Sequence, residues 1–190
     1  MCLEEPMIEK LSLEYGSDRP LETWVSTPLN APSNAHKGSN SSVQPQCVKL
    51  DLENLKCFEV VAHQFEERGV IFTNAIALQP SNPAFPPHSG SIVLMGGPRN
   101  GWMEATFKQP VCRVSCFVTS SRQTVLSAYD RQDRLLGKVE IPESNLAGSG
   151  STIEPNTQLC LQSPNIHRIT FYAFDGQFSL DDFQVCFQSD

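Results

Sequence analysis

The acidic pair Asp181-Asp182 is the sharpest chemical feature of this 190-residue chain. It heads an alternating run in which Phe183, Val185 and Phe187 share one parity and Gln184, Cys186 and Gln188 the other. Asp181 therefore takes the parity of the apolar face. A carboxylate at the edge of a core is costly unless a cation or several N–H groups compensate it. With Glu59, which lies in the predicted first strand, the pair makes a set of hard oxygens suited to calcium and its six to eight oxygen ligands. The alternative makes Asp181 the cap of a turn following Asp175-Gly176 and leaves Asp182 in solvent.

Trp102 is the second feature. In WMEATF it lies opposite Met103, Ala105 and Phe107, and an outward indole is a stacking platform for a sugar ring or an apolar partner. Arg168 and Tyr172 share the corresponding face of another strand, opposite Ile169, Phe171 and Ala173. These three are the candidate ligand contacts. Coverage of Trp102 by the N-terminal segment or by a long loop is the competing reading. Phe85, within NPAFPP, reads equally as a loop anchor or as a rim contact.

Catalytic chemistry is poorly supplied. The four histidines are scattered: His36 in a linker, His63 after the first strand, His88 in a turn and His167 on the inward parity of a strand. The sequence has no G-x-S-x-G elbow, H-E-x-x-H helix, P-loop or G-x-G-x-x-G. Seven cysteines are present without a single C-x-x-C pair, which argues against zinc. Cys112 and Cys116 stand four residues apart in a strand, roughly 13 Å at about 3.3 Å per residue, so neither a shared metal nor a disulfide joins them. Sharing the parity of Val114 and Val118, they read as buried apolar thiols. Cys57 and Cys186 fall in the predicted first and last strands and are the candidate disulfide.

The elements that position these residues are short strands. Apolar or alternating runs at 56–61, 70–73, 91–95, 102–107, 111–119, 124–130, 135–141, 158–162, 166–174 and 178–187 are separated by breakers such as NPAFPPHSG, KQP, LAGSGS, SPN and DG. Fourteen prolines, 11 glycines and 11 phenylalanines suit strands between turns better than helices. Ten such runs predict an all-β antiparallel sandwich over residues 47–190.

Residues 27–46 hold three prolines, four serines and three asparagines, too polar to offset the entropy of ordering. Residues 1–46 thus read as a flexible arm and linker. Its one apolar set, Ile8, Leu11 and Tyr15, has helical spacing, and a protein partner is expected to dock there. Net charge is −7 and no Lys/Arg run exceeds two residues, which argues against nucleic acid and anionic membranes. No segment approaches 18 consecutive apolar residues. The N-terminus carries Glu4 and Glu5 where a leader needs positive charge, so the expected compartment is the cytoplasm.

Gly69-Val70-Ile71-Phe72, Ser89-Gly90, Phe107-Lys108-Gln109-Pro110-Val111, Ala128-Tyr129-Asp130 and Leu180-Asp181-Asp182-Phe183, in this order, resemble a jelly-roll domain of bacterial, often cyanobacterial, proteins. Some of those relatives carry a C-terminal Pro-Glu-Pro sorting signal. The resemblance covers about residues 56–187. It implies a galactose-binding-like, generally non-catalytic sandwich, similar in shape to carbohydrate-binding modules, many of which hold structural calcium. It also sets the first strand beside the last, which brings Glu59 toward Asp181 and Cys57 toward Cys186. On this reading the chain is expected to lack the leader and sorting tail of the secreted relatives. The expected function is a protein-interaction or scaffolding module, with polysaccharide binding as the alternative. Limited proteolysis is expected to cut within 27–46 and leave a fragment starting near Cys47; protection of that stretch in the isolated protein would contradict the linker reading.

Overall fold

Half-buried strands must cover their apolar faces against a second layer, and here two long strands run through both. A computed structural model describes residues 45–96 and 101–187, all within one compact unit, Ser41–Asp190. Ten strands follow in order: β1 Cys47–Lys49, β2 Val60–Val61, β3 Val70–Thr73, β4 Ala75–Leu78, β5 Val93–Gly96, β6 Trp102–Ser120, β7 Thr124–Tyr129, β8 Leu135–Ile141, β9 Thr157–Ala173 and β10 Phe178–Phe187. Every pairing is antiparallel, in the order β2-β4-β5-β10-β6-β9-β7-β8, with β3 on β6 and β1 on β10. This is the predicted all-β jelly-roll sandwich. The N-terminal arm and its partner-docking set lie outside the described residues.

The predicted breaks at KQP and SPN are not breaks. Residues 102–107 of β6 pair with β3 and with 168–172 of β9, and 111–120 pair with β10 and with 157–166 of β9. Register shifts between Thr106 and Val111 mark the corner. Pro110 has no N–H to give a ladder, so a strand bends there without ending. Pro164 does the same on β9, followed by Asn165 at φ 60°.

Two further strand predictions change. The run 56–61 shortens to β2 because Phe58 adopts φ 68°; its N–H instead reaches the Ala77 carbonyl at 2.7 Å. The true first strand is β1, which the polar composition around it hid. Cys47 faces Cys186 in register and forms the disulfide. Cys57 is exposed and free, so the Cys57–Cys186 pairing is corrected to Cys47–Cys186.

The core follows the alternation. Met103, Ala105, Val114, Val118, Leu126, Ile169, Phe171, Leu180, Phe183 and Val185 are fully buried, with Phe72 edge-on to Phe183 at 5.4 Å. His167 is half-buried while Ile166 and Ile169 are both fully buried, because the alternation breaks between them, opposite the register shift from Thr106 to Val111. Cys116 is buried as expected, and burial pushes its thiol pKa far up. Cys112, opposite a register shift, is only half-buried. Phe85 is an anchor, 5% exposed.

Asn145, wholly buried, locks the 142–156 loop to β6. Its Oδ1 accepts from the Ser120 N–H at 2.6 Å, and its Nδ2 donates to the Val118 and Glu154 carbonyls at 2.9 and 3.0 Å. Asn145→Leu strands these buried main-chain groups at about 1–3 kcal/mol apiece before relaxation. Urea denaturation of the variant is expected to show a loss of about 2–4 kcal/mol; a loss under about 1 kcal/mol would mean water replaces the amide.

Candidate functional site

Alternation that buries one face of β6, β9 and β7 presents the other. Cross-strand register arranges the presented residues in rows. Trp102, Tyr172, Val125 and Glu140 form the first. Thr73, Glu104, Thr170, Ser127 and Lys138 form the second, and Ile71, Thr106, Arg168, Tyr129 and Leu135 the third. Two residues along a strand separate successive rows, so the face runs roughly 13 Å from first to third and about 4.8 Å per strand across. Trp102, Arg168 and Tyr172 are therefore brought together on one surface.

The first row is aromatic. Trp102 and Tyr172 are direct cross-strand partners; Trp102 is half-buried, and Tyr172 is 41% exposed. Phe174, 68% exposed, meets Tyr172 edge-on at 6.3 Å. Trp102 is held by its neighbours in sequence and space. Gly101 sits at φ 56°, and a Cβ there would lie 2.1 Å from the Ala173 carbonyl oxygen. Asn74, also left-handed at φ 60°, donates through Nδ2 to the Trp102 carbonyl.

The third row is ionic. Arg168 donates from one terminal nitrogen to Glu104 Oε2 at 3.0 Å, and from Nε and its other terminal nitrogen to Asp133 Oδ1 at 3.1 and 3.0 Å. Its guanidinium carbon lies 4.1 Å from the centre of the Tyr129 ring. Burial works against the guanidinium charge, but the bonds to Glu104 and Asp133 outweigh it and raise the Arg168 pKa. The guanidinium is thus fixed in plane over an aromatic face. Sequence reasoning missed Glu104, Thr170, Ser127 and Tyr129. Glu104 and Thr170 carry the same parity as residues it did select, so the signal was present; the pairing of β7 with β9, which brings in Tyr129, was not readable.

The acidic pair does different work. Asp182 has φ 50° and sits in a β-bulge, so Leu180 and Phe183 both enter the core while Asp181 turns to the opposite face. The inward parity expected for Asp181 is corrected by this one extra residue. Asp181 is nonetheless 3% exposed, because the 88–92 segment covers it. Its Oδ2 accepts the N–H groups of His88 and Ser89 at 2.8 and 2.9 Å, and its Oδ1 that of Asp182. Asp182 accepts from Ser89 Oγ at 2.5 Å and pairs with Lys49 at 2.6 Å and His88 Nδ1 at 2.9 Å. Glu53 holds the same segment, accepting from the Ser91 and Ile92 N–H groups at 2.9 Å each. Glu59 is engaged elsewhere, by the Lys56 N–H and by Gln64. Glu59, Asp181 and Asp182 are not brought together, and among the described residues no three His, Cys, Asp or Glu side chains are grouped to hold a metal ion. N–H groups and Lys49 compensate the charge that calcium was expected to meet.

His88, Ser89 and Asp182 superficially contain the parts of a hydrolytic triad. The Ser89 hydroxyl, however, donates to the carboxylate and not to the imidazole, so the nucleophile–base–orienter chain is not formed. The imidazole instead stacks on Phe117, centroids 3.5 Å apart.

No family model matches the chain, and no curated protein matches it. Among solved structures, it is similar to a DUF4465 family protein from Bacteroides caccae, at 10% identity and TM-score 0.49, covering 75% of this chain and 100% of that one. It is also similar to a family 29 carbohydrate-binding module, at 8% identity and TM-score 0.35, covering 62% and 81%. A third is the N-terminal xylanase 10B of Clostridium thermocellum, comprising CBM22-1 and GH10 modules in complex with xylohexaose; there identity is 10%, TM-score 0.40 and coverage 70% and 28%.

The clamp makes the 88–92 segment acid-sensitive. Bonds from the Ile92 and Ser91 N–H groups lower the Glu53 pKa. For Asp182, burial pushes upward, and Lys49, Ser89 and His88 outweigh it to leave a net lowering. A carboxylate depressed in the folded state contributes fully above its unfolded pKa, about 4.3 for Glu and 3.9 for Asp, and loses that contribution as pH falls through the folded value. Urea denaturation is expected to show stability falling below about pH 4, with a shallower fall in Glu53→Gln and in Asp182→Asn. Identical acid slopes in wild type and both variants would remove these carboxylates from the account.

Proposed function

We propose that the domain is a non-catalytic carbohydrate-binding module, with a neutral oligosaccharide lying across the open face of β6, β9 and β7. The observation that carries this reading is the adjacent pair Trp102 and Tyr172. Two neighbouring aromatic faces offer successive stacking platforms for pyranose rings, whose axial C–H groups are apolar. Beyond them, Thr170, Ser127, Glu104 and Arg168 supply hydroxyl, carboxylate and guanidinium groups in fixed positions, the kind of sparse polar set that orients a ligand on an apolar platform. Arg168 is already balanced by Glu104 and Asp133, and Lys138 stands near Glu140 on the neighbouring row. The face thus lacks the uncompensated positive charge that an acidic glycan requires. The Cys47–Cys186 bond favours an oxidising compartment over the expected cytoplasm.

Affinity electrophoresis and calorimetry on panels of neutral and acidic polysaccharides test the proposal. Wild type is expected to bind a neutral glycan with little salt dependence. Trp102→Ala and Tyr172→Ala should each weaken binding tenfold or more, about 1.4 kcal/mol, and chemical denaturation should confirm that each variant remains folded. Absence of retention on every glycan, or retention unchanged in both variants, overturns the reading. Capture of a defined protein by wild type, lost in the same variants, would assign the face to protein interaction.

A further inference from the structure

A third thiol stands against the disulfide. Cys47 and Cys186 are paired in register between β1 and β10. On the other side of β10, Arg113 is the register partner of Cys186 and Val111 that of Phe187, so Cys112 is the extra residue of a bulge in β6. Its Sγ is 3.4 Å from the Cys186 carbonyl oxygen and 3.8 Å from that of Phe187. Among the described residues, the other free thiols are placed differently. Cys116 is buried in the core, Cys57 meets the Gln79 N–H, and Cys160 accepts from Arg113 Nε. Cys186 itself is almost wholly covered, which impedes an external thiol more than a neighbour already in contact with its main chain.

We propose that Cys112 is an internal exchange partner of this disulfide, able to move the covalent bond from Cys47–Cys186 to Cys112–Cys186. Cys112 first loses its proton to solvent. The thiolate attacks the Cys186 sulfur, the bond to Cys47 breaks, and the electron pair leaves on the Cys47 sulfur, which takes up a proton from solvent. One disulfide is consumed and one is formed, so no external oxidant or reductant is required. The tether then joins β6 to β10, and β1 is held to β10 only by its hydrogen bonds. Sequence separations of 139 and 74 residues differ in loop-closure probability by less than about threefold, from the three-halves power of their ratio. Chain entropy therefore does not forbid either isomer, and the pairing of β1 on β10 sets the balance between them.

Non-reducing peptide mapping by mass spectrometry tests this on the full chain. The protein is equilibrated in glutathione redox buffer at about pH 8.5, where ordinary thiols are half ionised, then acid-quenched and alkylated. Wild type is expected to yield a Cys112–Cys186 peptide beside the Cys47–Cys186 one, and Cys112→Ser only the latter. Cys47→Ser, with its competing partner removed, is expected to form the Cys112–Cys186 bond without a glutathione adduct on Cys186. A Cys112 that stays alkylatable in both wild type and Cys47→Ser overturns the proposal, since then the two sulfurs do not meet.

Discussion

Everything in the molecule hangs on the pairing of β6 with β9. These strands meet twice, once on each side of a corner at Pro110 and Pro164, with register resolved from Trp102–Tyr172 to Val118–Thr157. The constraint is the backbone's own: each buried N–H and C=O needs a partner, and a strand that passes from one layer to the other must satisfy its groups in both. Proline at the corner removes a donor where the ladder would otherwise be strained. Layers built this way share their two central strands, so a one-residue slip of β6 against β9 would expose Met103 and bury Trp102 while Phe171 and Tyr172 kept their faces.

That coupling explains why the open face is aromatic without endangering the fold. The side chains that fill the core and those that form the face alternate on the same strands, so the face inherits its spacing from the core. Its exposed members, Tyr172 and Phe174, contribute less to the packing energy than the buried residues that alternate with them. Arg168 is the exception. Its salt links to Glu104 and Asp133 join residues of β6, β9 and the β7–β8 turn, so removing it would disturb the platform as well as any contact it makes.

Sequence periodicity was a good guide to the bounds of several strands. The runs at 70–73, 135–141 and 178–187 coincide with strands, and the outward placement of Trp102 and Tyr172 follows from parity alone. It misled wherever one residue broke the period. Asp182 in a left-handed bulge reversed the face of Asp181, Phe58 delayed the start of a strand by four residues, and Pro110 and Pro164 marked bends where breaks were expected. Such events are set by long-range pairing, not by local composition. The partner of Cys186 was hidden for the same reason: β1 has three residues and no hydrophobic pattern, and only its place against β10 makes it a strand.

The acidic pair shows how a correct physical premise can be met by a different agent. A nearly buried carboxylate requires compensation of several kcal/mol in principle, and a cation is one source. Backbone N–H groups are another, and they come at no cost in extra net charge when a loop folds over the carboxylate. Asp181 takes two from the loop and one from Asp182, while Asp182 and Glu53 secure the flanks through Lys49, Ser89, Ser91 and Ile92. The 79–92 connection is thereby fixed by three carboxylates from two separate regions of the chain. Its proline-rich composition denies it a ladder of its own, so side-chain acceptors provide what strand pairing does elsewhere. The anchored loop buries Phe85 and lays His88 on Phe117, closing one side of the sandwich.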